Sequence, residues 1–147
     1  MNNLGELIPR AGIGKIKLGA DKSSIINLLG SPIRENQERR SRTSLDYDGF
    51  NVMFSEDSKV ESIEVYPKII ITYKGNEIFK NDTAWKQLII DDGNPFHISG
   101  TIVLLNLGVS MWEDPNEEEQ DKSFVVSIEG AWDRLKNKLK PYESKII

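Results

Sequence analysis

Residues 45–66, LDYDGFNVMFSEDSKVESIEVY, contain the pattern that decides the fold. Apolar and polar side chains alternate on both sides of Gly49, and a period of two is typical of strands with one buried face. The tetrapeptide SEDS at residues 55–58 has turn chemistry. The stretch therefore predicts consecutive antiparallel strands that bury one face and leave the other face polar.

Helices are expected on either side of these strands. Residues 22–29 have apolar side chains at helical spacing, with Asp21 as an N-cap and with Gly30 and Pro32 at the C-terminal end. A second helix is predicted to begin with Asp82 as its cap. Further strands are predicted at residues 101–107, 109–112 and 123–129, followed by a C-terminal helix over residues 131–140.

Several segments resemble one another in the same order along the chain. The matched pairs are Gly30 with Gly93, Gly49 with Gly108, and VESIE at residues 60–64 with VVSIE at residues 125–129. Near-constant offsets between such pairs indicate duplication. We therefore predict an α+β fold in a single domain, 1–147, with two tandem helix-plus-antiparallel-strand repeats, about 12–73 and about 74–140. Their strands would form a shared sheet with the helices packed on one face.

Composition narrows the class of protein. The chain has 147 residues, a formal net charge of -4 and no cysteine. Disulfides, thiolate metal sites and a cysteine nucleophile are therefore excluded. The mild acidity does not favour a nucleic-acid or membrane partner, and it is compatible with a basic protein partner. Because no leader peptide or long apolar run is visible, a cytoplasmic location is expected.

Motifs for catalysis are weak. His97 is the single histidine, so a histidine-based metal site lacks a second ligand of that type. The segment GIGK at residues 12–15 lacks the wider frame of a phosphate-binding loop. Asp46 and Asp48 share one side of a strand, where solvent exposure is the simpler interpretation. We expect no catalytic residue, no metal and no cofactor.

An acidic loop is the clearest candidate for binding. Its carboxylates are Glu113, Asp114, Glu117, Glu118, Glu119 and Asp121. Such a cluster can steer a basic partner, although a solvated loop with a role in solubility is an equal alternative. Trp112 and Trp132 could anchor an interface, but core packing explains each of them as well.

The segments GKIKLG at 14–19 and LLGSP at 28–32 resemble an opening found in SmpA/OmlA-type outer-membrane lipoproteins and in β-lactamase inhibitor proteins. Immunity proteins of bacterial toxin systems are similar, and they share GVSMW at 108–112, an acidic loop and VVSI at 125–128. This resemblance implies a non-enzymatic immunity protein. It would neutralise a cognate basic toxin domain, such as a contact-dependent or polymorphic nuclease toxin, through Trp112 and the acidic loop.

Two other functions remain open at this point. The first is an assembly scaffold of the SmpA/OmlA type, although the chain lacks the lipidated cysteine of those lipoproteins. The second is a small-molecule-binding domain that uses the face of the sheet.

Overall fold

The structure is a computed structural model that describes residues 2–143. Its strands and α-helices, in chain order, are β1 (Asn3–Ile8), β2 (Gly12–Ile13), β3 (Ile16–Lys17), α1 (Lys22–Leu29), β4 (Arg34–Gln37), β5 (Thr43–Tyr47), β6 (Phe50–Phe54), β7 (Val60–Val65), β8 (Ile70–Tyr73), β9 (Asn76–Glu77), α2 (Asp82–Asp92), β10 (Phe96–Ile98), β11 (Thr101–Leu104), β12 (Val109–Trp112), β13 (Phe124–Ser127) and β14 (Lys140–Pro141). Short 3-10 segments occupy Arg39–Ser41, Glu119–Asp121 and Asp133–Lys138.

The strands form two sheets. The larger sheet has nine strands in the order β14-β10-β11-β12-β13-β7-β6-β5-β4, and the smaller has five in the order β3-β2-β1-β8-β9. Within the smaller sheet β1 and β8 are parallel. In the larger sheet, two antiparallel meanders meet where β7 pairs with β13.

One face of the large sheet is the floor of the core. A row across adjacent strands shows this most clearly, because each of its members is at most 1% exposed: Leu45, Val52, Ile63, Val126, Val109 and Leu104. Residues of the small sheet and of both helices join the same hydrophobic cluster. The small sheet and the α-helices therefore cover one face of the large sheet, and within residues 2–143 no second sheet or α-helix covers its other face.

The first helix begins and ends where the sequence predicts. Asp21 is its N-cap residue, but its side chain makes no capping hydrogen bond and pairs instead with Lys59. The second helix differs from the prediction at its start. Asn81, not Asp82, is the cap, and its side-chain oxygen accepts a hydrogen bond from Thr83 N at 2.9 Å.

The predicted fold class is wrong. The molecule is mostly β, with α1 of only 8 residues and α2 of 11, and the strands are divided between two sheets. The proposed repeat boundaries also fail, because β8 and β9 leave the large sheet and β8 pairs with β1, which lies outside both proposed units. A tandem helix-plus-strand repeat does not describe this arrangement.

The predicted C-terminal helix over residues 131–140 is wrong as well. The segment forms a 3-10 helix, Asp133–Lys138, and then the two-residue strand β14. Leu135 remains 37% exposed. An α-helix in a protein depends on burying an apolar face, and two leucines four residues apart supply too small a face here.

In the described part of the chain, 2–143, no helix is long and apolar enough to cross a membrane.

Candidate functional site

The uncovered face of the large sheet carries a groove of about 980 Å³. Its floor consists of alternate residues from neighbouring strands, namely Met53, Ser62, Glu64, Val125, Ser127, Ser110 and Thr101. These side chains point away from the core because successive residues of a strand face opposite sides. The alternation that buries one face therefore produces a mixed polar and apolar floor on the other. We call this feature the outer groove.

A basic turn closes one end of the outer groove. Arg39, Arg40 and Arg42 lie between β4 and β5, and all three line the groove. Arg42 Nη1 lies 3.4 Å from Glu61 Oε2. Its buried Nε has no hydrogen-bond partner among the described atoms. Arg39 and Arg40 form no ion pair with any residue in 2–143.

Carboxylates from the predicted acidic loop lie at the other end of the outer groove. Glu117 and Asp121 both line it, and neither forms an ion pair within the described chain. Glu119 pairs with Lys122 at 3.5 Å, and Glu118 is exposed. Only part of the acidic loop thus faces the groove.

Strand register separates the two charged ends. Thr43, which follows the basic turn, is in register with Phe54 on β6. At the opposite end of β5, Tyr47 lies on a row that continues through Phe50, Val65, Phe124 and Met111. The acidic loop connects β12 and β13 at that row. The basic and acidic ends are therefore diagonal to each other across the sheet.

Residues 130–134 form one wall of the outer groove, and we call them the wall segment. They include Trp132, which is half-buried, and Arg134, which makes no ion pair with residues 2–143. The backbone hydrogen bonds here are local, such as Asp133 N to Gly130 O at 3.1 Å. Segments held by few long-range hydrogen bonds open at low free-energy cost.

The remaining predicted site residues lie away from the groove or inside the protein. Glu113 Oε1 is 3.1 Å from His97 Nδ1, and the imidazole packs edge-on against Tyr142 with ring centroids 5.8 Å apart. Asp114 Oδ1 accepts a hydrogen bond from Asn116 N at 2.9 Å and shapes the loop. These contacts hold the side chains of Glu113, His97 and Asp114 outside the lining of the outer groove.

Trp112 is at the border between core and groove. It is 6% exposed, and its ring stacks on Phe79 with centroids 5.5 Å apart. The Lys122 ammonium lies 5.2 Å from the centroid of the same ring. Trp85 Nε1 donates a hydrogen bond to the Trp112 carbonyl at 2.9 Å. Because Trp112 packs in the core, little of its side chain is accessible to a partner. Trp132 is more accessible than Trp112.

A hydrogen-bond network connects β4, β5 and β6 near the end of β5 that is opposite to the basic turn. Asp46 Oδ2 accepts from Arg34 Nε at 3.0 Å and from Asn36 Nδ2 at 3.0 Å, and Asp46 Oδ1 accepts from Asn51. The hydrogen bond from Asn36 is the main cause that lowers the pKa of Asp46, and Asn51 and Arg34 add to it against the opposing effect of burial. Tyr66 follows directly after β7, and burial together with the nearby Glu64 raises the pKa of its hydroxyl to about 12.

No group of three or more histidine, aspartate or glutamate side chains within 2–143 is arranged to hold a metal ion. Of the aspartates considered from the sequence, Asp48 pairs with Lys68 at 2.6 Å. Asp92 is buried and accepts a hydrogen bond from Leu107 N at 3.1 Å. These side chains stabilise loops.

Sequence reasoning missed the basic side of the groove. The run ENQERRSR at residues 35–42 was recognisable only as a polar, charge-crowded segment. The turn places its arginines in the lining of the outer groove, together with residues of β7 and the wall segment. The signal available in advance was the presence of three arginines within four residues, at a predicted strand border.

No protein-family model, no curated protein and no solved structure matches this chain.

Proposed function

We propose that this chain is a cytoplasmic immunity protein that binds and neutralises a cognate toxin domain, with the outer groove as its binding surface. The observation that supports the proposal most strongly is the groove of about 980 Å³, whose two ends carry charged side chains that form no ion pair with residues 2–143. Charged side chains at the rim of an interface accelerate and orient association, and an aromatic side chain can anchor it.

The shape of the surface supports a protein partner. The groove is open along the sheet and is lined by side chains from five of the central strands, β6, β7, β11, β12 and β13. Apolar side chains such as Met53 and Val125 alternate with serines on its floor. A non-obligate protein interface is about as apolar as the rest of a protein surface and has a polar rim, and this mixed floor with charged ends is compatible with that composition. The resemblance to immunity proteins of toxin systems adds the class of partner.

The direct test is complex formation with the toxin domain encoded by an adjacent gene. We expect a stable complex by size-exclusion chromatography and protection of cells that express the toxin. Failure of both measurements with a folded, active toxin domain would overturn the immunity function.

A variant pair tests the location of the binding surface. Ser62→Trp fills the floor of the outer groove without entering the core, whereas Ser24→Trp places the same side chain on the exposed surface of α1. We expect Ser62→Trp to lose toxin binding and Ser24→Trp to retain it. Equal binding by the two variants would show that the toxin docks elsewhere.

A further inference from the structure

The two ends of the outer groove carry opposite charges. This polarity specifies the charge distribution of the bound segment, which the proposed function leaves open. Arg39 and Arg40 at the basic turn, and Arg134 in the wall segment, line the groove and form no ion pair with residues 2–143. Glu117 and Asp121 line the far end and form no ion pair within the described part of the chain. Each end thus requires a counter-charge of the opposite sign from whatever fills the groove.

We infer that the outer groove binds one extended, dipolar polypeptide segment of the partner, with carboxylates at the basic turn and lysine or arginine at the acidic end. The inference rests on the proposed function only for the identity of the partner. The single direction follows from charge complementarity, because a reversed segment would place like charges together at both ends.

The expected length of the segment follows from sheet geometry. The diagonal from the start of β5 to the start of β13 crosses three strand spacings and about four residues along a strand, or roughly 20 Å. An extended chain covers that distance with about six residues. We therefore expect charged residues separated by about six positions, with apolar residues between them that pack on Met53, Val125 and Trp132.

Arginine suits the basic end of the groove for a chemical reason. A guanidinium can bind a carboxylate with two parallel hydrogen bonds, so it selects aspartate or glutamate side chains with defined geometry. Arg42 is already close to Glu61, whereas Arg39 and Arg40 remain without an acidic partner in the described chain. These two arginines are the specificity-determining residues that we assign.

The test is selection of peptides from a random library of ten-residue sequences displayed on phage, with the full chain immobilised. We expect enriched peptides to carry acidic residues at one end and basic residues about six positions away, in one direction only. Arg39→Glu with Arg40→Glu should weaken these peptides about tenfold or more. Selection on that variant should no longer enrich peptides with acidic residues at one end.

A matched control separates the groove from general charge. Lys15→Glu with Lys138→Glu makes the same change in net charge at exposed positions outside the groove, and it should leave affinity for the selected peptides unchanged. Enriched peptides without charge polarity, or equal weakening by both double variants, would overturn the inference. Because no toxin is present, this result is independent of the test of immunity. Peptides with opposite charges at their two ends can be enriched even if the toxin does not bind, and the toxin can bind even if no such peptides are enriched.

Discussion

Ser62 of β7 lies directly opposite Ser127 of β13, at the junction of the two meanders of the large sheet. Both serines line the floor of the outer groove. Ile63 follows Ser62 in β7, and Val126 precedes Ser127 in β13. Both apolar side chains are fully buried on the core face of the sheet. The junction therefore joins the core and the proposed binding surface through adjacent residues, and changes on either face can be separated by experiment.

Trp132→Ala should weaken partner binding about tenfold to a few tens of fold, since truncation of an interface tryptophan commonly costs about 2 kcal/mol. The free energy of unfolding should change little because Trp132 is only half-buried. Titration calorimetry and urea unfolding measure the two effects. Leu135→Ala, in the neighbouring 3-10 helix and outside the groove lining, is the control and should leave affinity unaltered. A loss of stability without a loss of affinity would assign Trp132 to structure alone.

Glu117→Lys with Asp121→Lys should slow association with the partner about tenfold at low salt, and the effect should shrink as ionic strength rises. Both carboxylates line the groove without ion pairs among residues 2–143. Stopped-flow measurement at several salt concentrations gives the rate constants. Glu6→Lys with Glu56→Lys changes the net charge equally at exposed positions outside the groove and the acidic loop. If the control slows binding as much, steering depends on total charge and not on the groove.

Trp85→Phe should lower the free energy of unfolding by about 1–3 kcal/mol. The variant keeps most of the buried ring but removes the Nε1–H donor, so the Trp112 carbonyl loses its partner in a buried region. Urea unfolding followed by circular dichroism provides the measurement. Trp132→Phe is the comparison, because the same replacement at a half-buried site should cost little. Wild-type stability in Trp85→Phe would mean that the hydrogen bond contributes nothing net.

Gly12→Ala should destabilise the small sheet by about 2–4 kcal/mol. Gly12 has φ of 141°, and an added Cβ would lie 2.1 Å from the Ile16 carbonyl oxygen, which is backbone and cannot rotate away. Gly19 also has a positive φ, of 84°, but a Cβ added there would have no other atom within 4 Å, so Gly19→Ala should cost only about 1 kcal/mol. Thermal unfolding of both variants tests the difference, and similar melting temperatures would contradict it.

Asp46→Asn should make stability less dependent on pH in the acidic range. The folded-state pKa of Asp46 is lowered, so the ionised carboxylate stabilises the fold above its ordinary pKa, and this contribution is lost as pH falls through the folded-state value. The variant should be less stable than wild type at about pH 7 and closer to it at about pH 2. Urea unfolding across this range tests the sign. The exposed Asp48→Asn serves as control, and a constant difference for Asp46→Asn at every pH would refute the argument.

Local patterns predicted several elements correctly. The alternation around Gly49 corresponds to β5, β6 and β7, and the segment bounded by Asp21 and Gly30 is α1. Local chemistry suffices in these places because turn residues and caps act on their immediate neighbours. The acidic run that contains Glu117 and Asp121 is recognisable in the sequence, whereas its position at the end of a groove is not.

The repeat interpretation failed for a physical reason that the Ser62 and Ser127 pair makes clear. VESIE and VVSIE are similar, and their strands lie side by side at the centre of the same sheet, each with an apolar residue on the core side and serine on the other. Equivalent environments favour equivalent residues, so this similarity is explained without a repeated helix-plus-strand unit. The parallel pairing of β1 with β8 joins segments distant in sequence, and no local pattern encodes the partner of a strand.

The sequence by itself determined where strands turn, where α1 begins and ends, and which face of each strand is apolar, because these properties depend on residues within a few positions of one another. Only the tertiary structure decided that the strands divide between two sheets and that one face of the larger sheet stays uncovered. It also decided that the basic turn and the acidic loop lie at opposite ends of one groove. Those relationships arise from strand register and long-range packing, which bring residues such as Arg39 and Glu117 to the same surface although they are far apart in the chain.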